Sequence, residues 1–315
     1  SATIGTGSSA LSLSLSADHQ RLAFQQSTFE QAPEVHAGTL GHTPPPAITS
    51  LNAAVKPDWG KAVSMEWTNE GHRVQGWLMY PANYDPHKTY PLIVNVHGGP
   101  SWDVLPYWPG MEAMYAASGY FQFMPNPRGS FGQGEAFVQA NRKDFGYGDL
   151  RDILAGIDAV EKQAPVDDRR IGIAGASYGG YAVLMGLARD PDLYRCGIDW
   201  VGVTDMNLMY TADWSDMSDA WKKYGMPVLV GDPVADAAQL KATSPTNVVA
   251  RIHAPVLMAY GGEDKRVPIE HGTLFRDALR KQSGAKVEWV VYDKEGHGWR
   301  STRTRIDFWN RVARF

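Results

Sequence analysis

From about residue 55 onward, short apolar runs alternate with longer stretches in which apolar residues recur every three or four positions. The runs read as buried strands and the recurrences as helices. Residues 63–67 and 73–80 pair as antiparallel strands around Asn69-Glu70-Gly71. Residues 91–96 form a buried strand, 108–118 a helix ended by Gly119, and 120–124 another strand. Leu150, Ile153, Leu154, Ile157 and Val160 mark one helical stripe through 149–163. A strand over 170–174 leads into a helix over 178–188. Residues 197–203, 255–260 and 287–292 are further buried strands, and 267–283 and 301–315 are helices. This alternation predicts an α/β domain with a mostly parallel central sheet and helices on both faces. Catalytic groups in such sheets sit beyond the C-terminal ends of the strands.

The first fifty residues are patterned differently. Residues 11–15 alternate apolar and polar, 16–20 form a turn, and 21–24 and 34–35 read as short strands. Gly41-His-Thr-Pro-Pro-Pro46 is a breaker cluster and a candidate linker. Two or three short strands without a helix cannot bury both faces alone. The expected division is therefore 1–50 and 51–315.

Composition narrows the function classes. Hydrophobic residues make up 43% and charged residues 20%, enough apolar material for a sizeable core. With 30 basic against 34 acidic residues and no basic block, a nucleic-acid partner is not indicated. Cys196 is the single cysteine, which excludes an internal disulfide and a cysteine-based zinc site. No apolar run approaches the ~18 residues of a membrane span. Residues 1–5 lack the charged and apolar regions of a signal peptide, and compartment stays open. Eleven tryptophans are more than a plain core requires.

The chemistry centres on Gly175-Ala-Ser177-Tyr-Gly179, which lies between a predicted strand and a predicted helix. A nucleophile on that tight turn needs flanking residues without side chains, hence the glycines. A serine hydroxyl needs a base to take its proton and a third group to orient the base, in the chain order Ser, acid, His. His297 in Gly296-His-Gly298 follows the strand ending at residue 292 and is the candidate base. His271 falls inside a predicted helix and reads as a solvated surface residue, and His253 as a capping or packing residue. Asp264, in the loop after 255–260, is the candidate acid, with Glu263 a solvated neighbour.

An oxyanion hole should combine the Tyr178 N–H with a donor from His97-Gly-Gly-Pro100. Gly99 is the assigned donor and Gly98 its rival. His97 reads as shaping this loop through its ring rather than as a metal ligand or second base. Arg128 in Asn126-Pro-Arg-Gly-Ser130 either aims its fork at a substrate carbonyl or carboxylate or forms a structural salt bridge. No metal or cofactor is called for.

Together these motifs resemble the catalytic domain of the prolyl oligopeptidase family of serine peptidases, in its acylaminoacyl-peptidase and dipeptidyl-peptidase branch. Gly262-Glu-Asp-Lys-Arg-Val-Pro268 adds to the resemblance, which runs from about residue 64 to the end. It implies an α/β-hydrolase fold, a Ser177–Asp264–His297 triad, and Gly99 and Tyr178 as oxyanion donors. It implies that Arg128 contacts the substrate backbone. It also implies a pocket wall of Val203, Met206, Met209 and Val267, with Tyr178. The expected function is hydrolysis of short peptides through an acyl-enzyme, with a carboxylesterase as the alternative. The first fifty residues then read as the remnant of a β-propeller covering the active site, rather than as a flexible leader. Trp59, Trp102 and Trp214 would cover a surface that such a propeller buries. The expected partners are a peptide or ester substrate and the propeller, with a homo-oligomer left open. One departure is Tyr260-Gly261-Gly262, where many members have His-Gly before the acid loop.

Overall fold

In the computed structural model, residues 9–41, 45–212 and 215–315 are described. His42–Pro44 of the candidate linker, and Trp214, lie outside them. The chain folds as two sheets. β1 (Ser9–Leu15), β2 (Arg21–Ser27) and β3 (Glu34–Thr39) make a three-stranded antiparallel sheet.

The larger sheet holds β4 (Ala62–Asn69), β5 (His72–Met79), β6 (Tyr90–Val96), β7 (Phe121–Asn126), β8 (Val166–Ala176), β9 (Gly197–Trp200), β10 (Val256–Gly261) and β11 (Val287–Tyr292). Their order is β11-β10-β9-β8-β6-β7-β5-β4. The strands from β7 to β11 pair in parallel, and β5 and β4 add an antiparallel edge. The β4–β5 hairpin closes over Glu70 and Gly71, both at positive φ (48° and 82°), the geometry of a two-residue type I′ turn.

Alternation along the strands fills two cores, because successive side chains point to opposite faces. Leu92, Val94 and Val96 enter one core with the helices Gly148–Gln163, Tyr178–Arg189 and Glu270–Gln282. Ile93, Ala174, Ile198 and Leu257 enter the other, against Tyr115 and the helix Thr302–Arg314. Helices thus cover both faces, as the α/β-hydrolase expectation requires. The small sheet docks through Phe29, whose ring packs edge-on against Trp77 at 5.1 Å. The Trp59 indole N–H donates to the Phe29 carbonyl at 2.9 Å, and its ring lies 4.7 Å from that of Trp108. Trp59 is therefore half-buried and holds the two sheets together, whereas Trp102 stands 60% exposed.

Three elements are shorter than the sequence predicts. Residues 108–118 hold only a 3-10 turn, Gly110–Ala113, and one α-turn, Met114–Ala117. β9 stops at Trp200 because Val201 turns to φ 47°, outside strand geometry. The helix expected from 267 begins at Glu270, and the Val267 N–H before it is held by the Asp264 carboxylate. Among the described residues no helix is long and apolar enough to cross a membrane.

Candidate active site

Ser177 stands between β8 and the helix Tyr178–Arg189, with φ 60° and ψ −119°. Such a conformation is costly for a residue with a side chain and persists only where its surroundings enforce it. The enforcement is visible at Gly179, where an added Cβ would lie 2.1 Å from the Val96 carbonyl oxygen. Only glycine lets the turn sit this close to β6. The Ser177 N–H is held by the Trp200 carbonyl at 2.9 Å.

His297 reaches this serine from the loop after β11, with Nε2 at 2.9 Å from Ser177 Oγ. Its Nδ1 lies 2.8 Å from Asp264 Oδ2. A carboxylate can only accept, so Nδ1 carries the proton and Nε2 is free to take one from the hydroxyl. Asp264 is fully buried, and its other oxygen accepts the N–H groups of Arg266 (2.8 Å) and Val267 (3.0 Å). Glu263 beside it is exposed. Glu295, which the sequence reading missed, accepts the N–H groups of Arg300 and Ser301 at 2.8 and 3.0 Å. It thereby fixes both the histidine loop and the start of the last helix. Its only sequence signal is a carboxylate placed just before a helix N-terminus.

Tyr178 opens its helix, so its N–H has no intrahelical acceptor. Its hydroxyl donates to the buried Asp149 carboxylate at 2.5 Å. Burial pushes Asp149 up to about 6, against the pull of that hydroxyl and of the Gly146 and Leu150 N–H groups. Gly99 follows β6 at φ 123°, a conformation that favours glycine, and an added Cβ would lie 2.8 Å from the Ser101 nitrogen. The His97 ring bonds the Gly98 carbonyl through Nδ1 at 2.7 Å and the Ser130 hydroxyl through Nε2 at 2.9 Å. Burial lowers its basicity, so the ring is a neutral strut that shapes the loop.

The cavity beside Ser177 and His297 has a volume of about 820 Å³. Gly98, Gly99 and Tyr178 form its polar lip, and Val203, Met206, Met209 and Val267 are in its wall. Phe145, Met217, Trp221, Met226 and Leu229 are also in the wall and were missed by the sequence reading, as was Arg266, the charged side chain in the lining besides His297. Residues 217–229 show no motif; only the clustering of Met217 and Met226 near Met206 and Met209 hinted at them.

Two expectations are corrected. Arg128 is not at the cavity. Its Nε and one Nη bind Asp152 at 2.9 and 2.8 Å, and it also meets Glu70 at 2.9 Å and Asp144 at 3.8 Å. Its side chain is only 6% exposed and lies among these carboxylates, so this is the salt-bridge alternative. His271 is fully buried rather than solvated. Its Nδ1 accepts the Thr204 N–H at 3.2 Å, and burial lowers its pKa to about 3.

With this geometry in view, the comparisons with known proteins point one way. The prolyl oligopeptidase family model matches residues 110–315. The chain belongs to the prolyl oligopeptidase family. It is 32% identical over 259 residues to the uncharacterized peptidase YuxL of Bacillus subtilis, covering 78% of this chain and 37% of that protein. It is 29% identical over 256 residues to dipeptidyl-peptidase 5 of Porphyromonas endodontalis, covering 80% of this chain and 37% of that protein. An acylaminoacyl peptidase solved in complex with Z-Gly-Gly-Phe-chloromethyl ketone superposes with a TM-score of 0.89 at 25% identity, over 99% of this chain and 49% of that one. The chain thus spans well under half the length of the curated relatives it matches.

Proposed function

We propose that this chain carries the catalytic centre of a serine peptidase acting on short peptides. The hydrogen-bonded series Ser177–His297–Asp264, with its 2.9 and 2.8 Å contacts, carries the reading. Ser177 Oγ attacks the peptide carbonyl carbon while its proton passes to His297 Nε2. The tetrahedral oxyanion takes the Gly99 and Tyr178 N–H groups. Collapse of that intermediate breaks the C–N bond, and His297 returns the proton to the leaving amine. Water then attacks the acyl-enzyme by the same route in reverse and frees Ser177. Asp264 holds the imidazole tautomer and stabilises the imidazolium formed in each step.

The apolar wall suits an apolar residue on the acyl side of the cleaved bond. Methionine supports this because its flexible thioether adapts to varied shapes. The structural neighbour carrying a reagent that ends in phenylalanine points the same way. Initial rates on a matched pair, a phenylalanyl anilide and the corresponding ester, test the reading. Turnover of both is expected, with an aspartyl anilide far slower. Ester turnover with no amide turnover would contradict a peptidase, and a preference for the aspartyl substrate would contradict the apolar pocket.

A further inference from the structure

Beneath the site lies a buried acid that the mechanism does not use. Asp199, on β9, is fully buried. Its Oδ1 faces Gly180 of the helix that follows Ser177 and Gly202 of the loop after β9. A Cβ added at either glycine would lie 2.4 or 2.2 Å from that oxygen. Its Oδ2 is 2.8 Å from the hydroxyl of Tyr260, the residue at which this chain departs from the common His-Gly pattern. The Tyr260 hydroxyl is also 2.9 Å from the Gly202 carbonyl.

Counting protons across these contacts decides the state of the acid. The Tyr260 hydroxyl has one proton and faces two oxygens. If Asp199 were ionised, both oxygens would be acceptors and one short contact would hold no proton. If Asp199 carries a proton, it donates to Tyr260, and Tyr260 donates to Gly202. Both contacts are then satisfied. Oδ1 makes no hydrogen bond of good geometry, and the Gly202 N–H is the polar group that acts on this carboxyl from the loop after β9; one such weak donor suits a neutral carbonyl better than a buried carboxylate.

We infer that Asp199 is a protonated positioning residue whose donor chain through Tyr260 to Gly202 braces the Ser177 turn against β10, the strand that leads to Asp264. The brace touches Gly180 on the nucleophile side and Tyr260 on the acid side, four residues before Asp264. Burial pushes the Asp199 carboxyl up to about 7, against the pull of the Tyr260 hydroxyl and the Gly202 N–H. The flanking strands present Gly175 and Met258 opposite it, and the nucleophile helix presents Gly180. Tyr260 is the titratable group in contact with it. Farther off, Asp264 acts on Tyr260 and His271 through charge alone, and the His271 ring bonds Thr204.

The activity arm of the test rests on the serine-peptidase reading; the spectroscopic arm does not. In the infrared difference spectrum of wild type against Asp199→Asn at about pH 6, the carbonyl stretch of a protonated carboxylic acid is expected, fading by about pH 9. In Tyr260→Phe that stretch should move to higher frequency as its acceptor is lost. Absence of the band in wild type, or its indifference to Tyr260→Phe, would overturn the inference. Fluorophosphonate labelling of Ser177 across the same range gives the second arm. The asparagine cannot ionise, so the ratio of the alkaline to the acid rate should rise at least about threefold over wild type. Tyr260→Phe should slow labelling about tenfold at every pH. Equal ratios in wild type and Asp199→Asn, or full-rate labelling of Tyr260→Phe, would show that the brace does not position the site. A wild type that never labels would sink the peptidase reading and leave the infrared band to decide Asp199.

Discussion

At the residue scale, the site depends on which atoms hold protons. Asp264 accepts from His297 Nδ1 through one oxygen and from two backbone N–H groups through the other. Asp264→Asn keeps an oxygen for the backbone donors but turns an amide N–H toward Nδ1. The imidazole then adopts the wrong tautomer. A fall of about 10⁴-fold in kcat is expected, with the melting temperature little changed, as steady-state assays and calorimetry would show. The hydrogen-bonded arrangement of Ser177, His297 and Asp264 was legible in the sequence because each residue follows a recognisable strand and stands among glycines that tight loops require. Arg128 was not settled there. Its partners Glu70, Asp144 and Asp152 lie in separate segments, and nothing local indicates that three carboxylates converge on one guanidinium. His271 failed for a related reason. Its helix was legible, but the face turned inward at its first turn was not.

At the scale of elements, packing overrides intrinsic preference in the helix Gly148–Gln163. Gly156 lies in its middle, where glycine costs about 1 kcal/mol relative to alanine. Propensity alone would make Gly156→Ala stabilising. A Cβ there would meet the rings of Phe123 and Trp67 at 2.6 and 2.7 Å. Those rings are packed against each other, 5.4 Å between centroids, and the Trp67 N–H is tied to the Asp152 carbonyl at 2.9 Å. Neither ring can retreat cheaply. Gly156→Ala should therefore destabilise by about 1–3 kcal/mol, measured as a lower urea midpoint at unchanged slope. The strands of the large sheet and the long helices were readable from periodicity, while the short helical turns such as Met226–Leu229 and Ala237–Ala242 were not, being too brief to show a period. β9 ends at the Val201 backbone turn, and the helix from Glu270 follows a loop whose Arg266 and Val267 N–H groups are held by the Asp264 carboxylate.

At the scale of the whole molecule, buried ionisable groups on the site's underside tie stability to pH. Asp149 and Asp199 have pKa values raised by burial to about 6 and about 7. Unfolding lets each lose its proton at ordinary carboxylate pH, so their contribution falls as pH rises from about 4 through those values. His271 works in the opposite sense. Its folded pKa is lowered to about 3, so its contribution is present above the ordinary histidine range and is lost as pH falls toward 3. His271→Gln removes that loss and still accepts the Thr204 N–H. Going from about pH 7 to about pH 4, the variant should gain about 3 kcal/mol relative to wild type. Urea titrations at the two pH values measure this, and a parallel decline of both proteins would contradict it.

All these features converge on one serine. The most direct test is intact-protein and peptide mass spectrometry after treatment with a fluorophosphonate. One added phosphonyl group is expected, on the peptide containing Ser177, with none on folded Ser177→Ala. Folded wild type that stays unmodified, or that is modified at another residue and equally in Ser177→Ala, would contradict a nucleophilic Ser177.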